Sequence, residues 1–124
     1  DTIAYVACDD PGDEHYAELK AMETELEAFR SRDGKPYHLV PLPWPKARFA
    51  PDGRRLPATY ANFLIINGAV LMPVYEDPAD QAAIAVMHKA FPDREIKPID
   101  CRDLIWQNGS LHCCTMQLPE GLLK

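Results

Sequence analysis

The chain has 124 residues, enough for one ordinary domain and too few for a second independent core. Hydrophobic residues make up 47% and charged residues 26%, which excludes an intrinsically disordered composition. Lys and Arg number 13 against 19 Asp and Glu, and the net charge of -6 argues against a surface that tracks nucleic-acid phosphates, leaving cationic small molecules as the more natural ligands.

The run from Thr2 to Cys8 is β-branched and aromatic enough for a strand, and Asp9-Asp10-Pro11-Gly12 closes it with turn residues. An apolar strand starting this early predicts a piece cut from a longer polypeptide. From Asp13, Tyr16, Leu19, Met22, Leu26 and Phe29 recur at steps of three or four, which predicts an amphipathic helix of about five turns capped by Gly34. Its other face, with Glu18, Glu23, Glu25 and Glu27, reads as solvated surface, with an acidic binding patch as the alternative. Tyr37-His38-Leu39-Val40 follows as a second strand, and so short a crossover predicts parallel pairing with the first.

The stretch 41–58 holds Pro41, Pro43, Pro45, Pro51 and Pro57, too many for regular helix or central strand. It reads as an ordered functional loop, with a polyproline ligand for an adaptor domain as the alternative. Tyr60 to Asn67 and Ala69 to Tyr75 are apolar runs joined by Asn67-Gly68, a strong hairpin signal. Asp77-Pro78 then opens a helix with Ala82, Ile84, Met87 and Phe91 inward, Pro92 stops it, and Arg94 to Asp100 is a further strand. A last strand is expected over Leu111 to Leu118, after the turn Gln107-Asn108-Gly109-Ser110. The chain therefore reads as α/β, with two partial ββαβ-like units and mixed sheets.

No stretch approaches the roughly 18 consecutive apolar residues of a membrane-spanning helix, so a soluble chain is expected. Cys8, Cys101, Cys113 and Cys114 lack the spacing of a disulfide scaffold and fit free thiols of a reducing compartment. The densest reactive segment is Gly109 to Gln117. Zinc ligation by His112, Cys113 and Cys114 is disfavoured, because neighbours on a strand alternate faces and the paired spacing of structural zinc sites is absent. Two readings remain for the cysteines: small, inert, buried side chains, or one nucleophilic thiol beside a glycine turn. On a strand His112 would face away from Cys113, so a proton-transfer partner would have to come from another element.

The stretch Gly109-Ser110-Leu111-His112-Cys113-Cys114-Thr115-Met116-Gln117 resembles the ending of agmatine deiminases and the related bacterial-type peptidylarginine deiminases. Two more blocks are similar to that family: Arg54 to Phe63 followed by Asn67-Gly68-Ala69-Val70, and Phe91-Pro92-Asp93-Arg94 with Ile99-Asp100. The three blocks cover essentially the whole chain but only about the C-terminal third of a typical member. The resemblance implies a pentein, an α/β propeller of five units, of which residues 1–124 would form the C-terminal portion with about two units. It also implies that Cys113 is the catalytic nucleophile, that His112 lies beside it without being the general base, that Cys114 is structural, and that Gly109 and Asn62 line the substrate. Thr59 and Tyr60 share that block, with core packing as their alternative, and Asp100 and Asp103 read as caps or loop acids. Where many members carry three glycines, this chain has Gln107-Asn108-Gly109, so close backbone approach is kept only at Gly109.

The implied reaction converts agmatine to N-carbamoylputrescine and ammonia, with no cofactor and no metal. The family's general acid/base histidine and its guanidinium-gripping carboxylates lie upstream of the matching blocks. Expected partners are a small cationic guanidinium substrate and the rest of the chain's own propeller, with no nucleic acid and no membrane, a homo-oligomer left open, and the cytoplasm as compartment. A protein-arginine deiminase and a non-catalytic pentein-like binding fragment stand as alternatives.

Overall fold

The computed structural model describes residues 1–122. Strand β1 (Thr2–Val6) leads through helix α1 (Tyr16–Ala28) to strand β2 (His38–Leu42), and the two strands pair in parallel from Thr2 opposite His38 to Val6 opposite Leu42. The second unit holds β3 (Leu64–Ile66), β4 (Ala69–Val74), helix α2 (Asp80–Ala90) and β5 (Glu95–Asp100). In its sheet β3 pairs antiparallel with β4, and β4 pairs parallel with β5. The architecture is α/β with a mixed sheet, as the alternation of strand and helix patterns predicts.

Helix α1 is shorter at both ends than its apolar spacing suggests. Asp10 and Asp13 side chains accept the Gly12 and His15 amides, both at 2.9 Å, and these local turns delay the helix to Tyr16. Phe29 ends it in extended conformation, so Gly34, at φ 76°, serves a later turn instead of the cap. No residue of α1 is buried, and Phe29 is 50% exposed. Of its acidic face, Glu18, Glu25 and Glu27 are exposed, whereas Glu23 turns to the sheet and accepts the Tyr5 hydroxyl at 2.5 Å.

In α2 Met87 is buried, and Ile84 and the C-cap residue Phe91 pack against the core as expected, but Ala83 takes the inward place expected of Ala82, which is exposed. The helix starts later than Asp77-Pro78 suggests: Asp77 accepts the Ala79 amide at 2.9 Å in the preceding turn, and the N-cap position falls at Ala79 without a side-chain capping bond. Asp80 accepts the Tyr60 hydroxyl at 2.7 Å and the amides of Tyr75 and Asp77, fixing α2 to β4 and to the segment before β3. In the hairpin, Gly68 takes the positive φ of 75° that closes the two-residue turn.

The core lies in the second unit, around Tyr60, Val70, Met72, Tyr75, Met87 and Ile105. The proline-rich segment contributes Leu42, Ala50, Leu56 and Ala58 to it, so this stretch is packed and not a free ligand. A salt bridge ties it to the first unit: Arg55 holds Asp13 at 2.7 Å and Glu14 at 2.8 Å, and its guanidinium lies 5.4 Å from the centre of the Trp44 ring. No helix among the described residues is long and apolar enough to cross a membrane.

Candidate active site

After β5 a 3₁₀ helix, Leu104–Gln107, buries Ile105, and Asn108 turns the chain in the left-handed region at φ 68°. Gly109, Ser110 and Leu111 then run buried beneath the surface, and the chain re-emerges as a second 3₁₀ helix, His112–Cys114. The strand expected over Leu111 to Leu118 is absent. The Leu111 carbonyl is taken by the Cys114 amide at 3.2 Å, and the His112 carbonyl by the Thr115 amide at 3.0 Å and hydroxyl at 2.8 Å. With those carbonyls bonded locally, no ladder forms there.

The 3₁₀ turn sets His112 relative to Cys113. Successive residues of a 3₁₀ helix point about 120° apart, so His112 and Cys113 diverge through helical rotation and not through strand alternation. Among the described residues no hydrogen bond joins the His112 ring to the Cys113 thiol, and no three His, Cys, Asp or Glu side chains converge as a metal site requires. Cys113 and Cys114 are exposed, whereas Cys8 and Cys101 are buried, and all four are free thiols. The inert, buried reading therefore fails for both Cys113 and Cys114.

Asn62 holds the reactive turn from the side. Its Oδ1 accepts the His112 amide at 2.7 Å, its Nδ2 donates to Cys113 Sγ at 3.3 Å, and its own carbonyl also accepts from the His112 amide, at 3.2 Å. From below, Gly109 is pressed against the thiol: a Cβ there would stand 2.8 Å from Cys113 Cβ and 3.3 Å from Sγ. The close approach that requires glycine is thus made by the Cys113 side chain itself. The Ser110 amide, followed by the Asn62 side chain and the amide of Cys113, holds the thiol below its ordinary value of 9.0. Gln107 Nε2 donates to the neighbouring Cys114 Sγ at 2.8 Å.

Beneath the turn lies a buried polar cluster that sequence patterns do not reveal. The Tyr75 hydroxyl donates to the Thr59 carbonyl at 2.9 Å, accepts the Thr59 amide at 3.1 Å, and lies 2.7 Å from Ser110 Oγ. Tyr60 is buried in the core, so its core-packing alternative is realised. Asp100 pairs with Arg102 at 2.7 Å at the surface. A cleft of about 930 Å³ opens between Cys8 to Glu14 and the proline-rich segment, but Cys113 is not among its lining residues. The thiol instead stands on an open face with neither a carboxylate nor a histidine hydrogen-bonded to it among the described residues.

Comparison with known proteins gives these residues a setting. The chain is 34% identical over 128 residues to the agmatine deiminase of Pseudomonas putida, covering 90% of this chain and 35% of that protein. It superposes with a TM-score of 0.93 and 59% identity on a Porphyromonas gingivalis crystal structure provisionally described as an arginine deiminase, covering 97% of this chain and 35% of that one. A C. jejuni agmatine deiminase, solved as a cysteine-to-serine variant with substrate bound, matches with a TM-score of 0.80 and 42% identity over 90% of this chain and 31% of that one. The chain thus spans about a third of the length of these relatives. The family model described as Porphyromonas-type peptidyl-arginine deiminase matches residues 1–119, nearly the whole sequence, and the chain belongs to that family.

Proposed function

We propose that residues 1–124 form the C-terminal portion of an agmatine deiminase-like hydrolase, about two units of a five-unit propeller, and that Cys113 is its nucleophile. The observation that carries this reading is the exposed Cys113 thiol, lowered by backbone and Asn62 hydrogen bonds and backed by Gly109. Support also comes from the C. jejuni relative, which was solved with substrate bound once a cysteine had become serine.

In this mechanism the Cys113 thiolate attacks the guanidinium carbon of agmatine, forming a C–S bond and a tetrahedral adduct. Ammonia leaves as the C–N bond breaks, its proton supplied by an acid outside this chain, and an S-alkylthiouronium remains. Water adds to that carbon, losing one proton to the group that protonated the ammonia and the other to solvent, the C–S bond breaks, and N-carbamoylputrescine departs with the thiolate restored. A thiolate suits the first step because it is strongly nucleophilic near neutral pH. Gly109 and Asn62 take part at the thiol, where the geometry puts them, and substrate contact is made over the open face they border. His112 lies beside this face and takes no proton from Cys113.

The test is ammonia release from agmatine by the polypeptide that carries this chain. Cys113→Ser abolishes it, and turnover retained in that variant overturns the assignment. A second reading, a protein-arginine deiminase, is favoured by the description of the matching family. Offering agmatine and an arginine-containing peptide side by side separates the two.

A further inference from the structure

Ser110 is 1% exposed and lies directly between the glycine that backs Cys113 and the buried Leu111. Its main chain adjoins Gly109, where an added Cβ would stand 2.8 Å from Cys113 Cβ and 3.3 Å from Sγ. Its side chain serves no ligand. It points away into the core, to the Tyr75 hydroxyl at 2.7 Å. The donor in that pair follows by elimination. A carbonyl only accepts, so the bond of 2.9 Å to the Thr59 carbonyl uses the single Tyr75 proton, and Ser110 must donate to Tyr75. The Thr59 amide completes the third bond of the Tyr75 oxygen, at 3.1 Å. One phenol therefore joins the Thr59 segment, which leads directly to Asn62, to the Ser110 bend. Burial pushes the Tyr75 hydroxyl up to about 12, so the junction keeps its protons throughout the range in which a thiol titrates.

We propose that the Ser110 hydroxyl, anchored on Tyr75, is a positioning group that holds the two sides of the Cys113 thiol, Asn62 and Gly109, in register. The proposal rests on the reading of Cys113 as the nucleophile, yet its test needs no substrate. The structural reason is rigidity: buried polar groups tolerate few alternatives, because each rotation away leaves a donor or acceptor unmet in a place water does not reach. Without the hydroxyl the bend from Asn108 to Leu111 keeps its apolar anchor but loses the bond that fixes the peptide plane of Ser110.

The experiment labels the full 124-residue chain with iodoacetamide across a pH series and maps the adducts by mass spectrometry, with Cys114 as the internal reference. Ser110→Ala and Tyr75→Phe are each expected to move the pH midpoint of Cys113 labelling upward and to slow labelling several-fold at neutral pH. At high pH the rate stays that of the wild type, and Cys114 is unaffected. Ser110→Thr, which keeps the hydroxyl, retains the wild-type midpoint. An unchanged midpoint in Ser110→Ala and Tyr75→Phe with native circular dichroism overturns the proposal, as does slowing by the same factor at every pH, which reports altered access and not altered ionisation. If Ser110→Ala fails to fold, Tyr75→Phe decides. If both fail, Ser110→Thr decides, a shifted midpoint overturning the proposal and a retained one upholding it. Failure here leaves ammonia release from agmatine intact as a separate result, so the two readings fall independently.

Discussion

A methyl group added at residue 109 has nowhere to go, because it would press on Cys113 Cβ at 2.8 Å from within the buried bend. Gly109→Ala therefore displaces the thiol before it disturbs the core. The expected outcome is a loss of about 10²-fold in ammonia release by the parent enzyme, the size of effect that a displacement near 1 Å has on a reacting group. Circular dichroism would stay native, and mapped alkylation of Cys113 would slow in parallel. The three groups at the thiol were unevenly legible in the sequence. Cys113 and Gly109 sit in one motif, and Asn62 lies 51 residues from Cys113 in a second block, so motif reading reached all three. Their roles were not legible: that Asn62 clamps the turn and that Gly109 makes room for the thiol are facts of packing. Ser110 and Tyr75 went unnoticed because a serine beside a glycine and a tyrosine ending a strand look ordinary in a sequence.

At the level of elements, the hairpin through Asn67-Gly68 and the parallel return from β1 to β2 follow from short-range signals, and both were predictable. Less predictable were the limits of α1 and the turn at Cys113, where local hydrogen bonds by Asp10, Asp13, Thr115 and the Leu111 carbonyl defeat the pattern of apolar residues. The link between the first unit and the proline-rich segment carries its own prediction. Asp13 and Arg55 side chains are only 11% and 16% exposed, and the Arg55 guanidinium holds the Asp13 carboxyl well below its ordinary 3.8. A carboxylate with a depressed folded pKa adds stability that is complete above the unfolded value and is lost as pH falls through the folded one. Stability contributed by this pair thus begins to fall near pH 3.8 and continues falling below it. Urea unfolding at pH 6 and pH 3 measures this, and Asp13→Asn should be less stable at pH 6 and show a smaller difference between the two pH values. An equal acid sensitivity in the variant would place the effect elsewhere.

At the scale of the molecule, the apolar stripe of α1 has no buried residue, and Cys113 stands outside the cleft of about 930 Å³. Together with a length about a third of the relatives', this predicts a thiol that reacts but does not turn over substrate. The 124-residue chain alone is expected to label at Cys113 with iodoacetamide while releasing no ammonia from agmatine above a thiol blank. Measurable turnover by it would show that the groups present suffice. The hydrogen bonds on Cys113 also bear on the stability of the whole chain. They exist only in the native state, so they favour the deprotonated thiol only there, and the unfolded chain titrates near 9.0. Folding and ionisation of this one sulfur are therefore coupled: the native state is drawn tighter as pH rises toward 9.0, and a neutral cap placed on the sulfur takes that increment away. A covalent inhibitor that leaves no charge on the sulfur would then do two things at once, blocking the thiol and removing the pH-dependent increment its ionisation adds to the folded state.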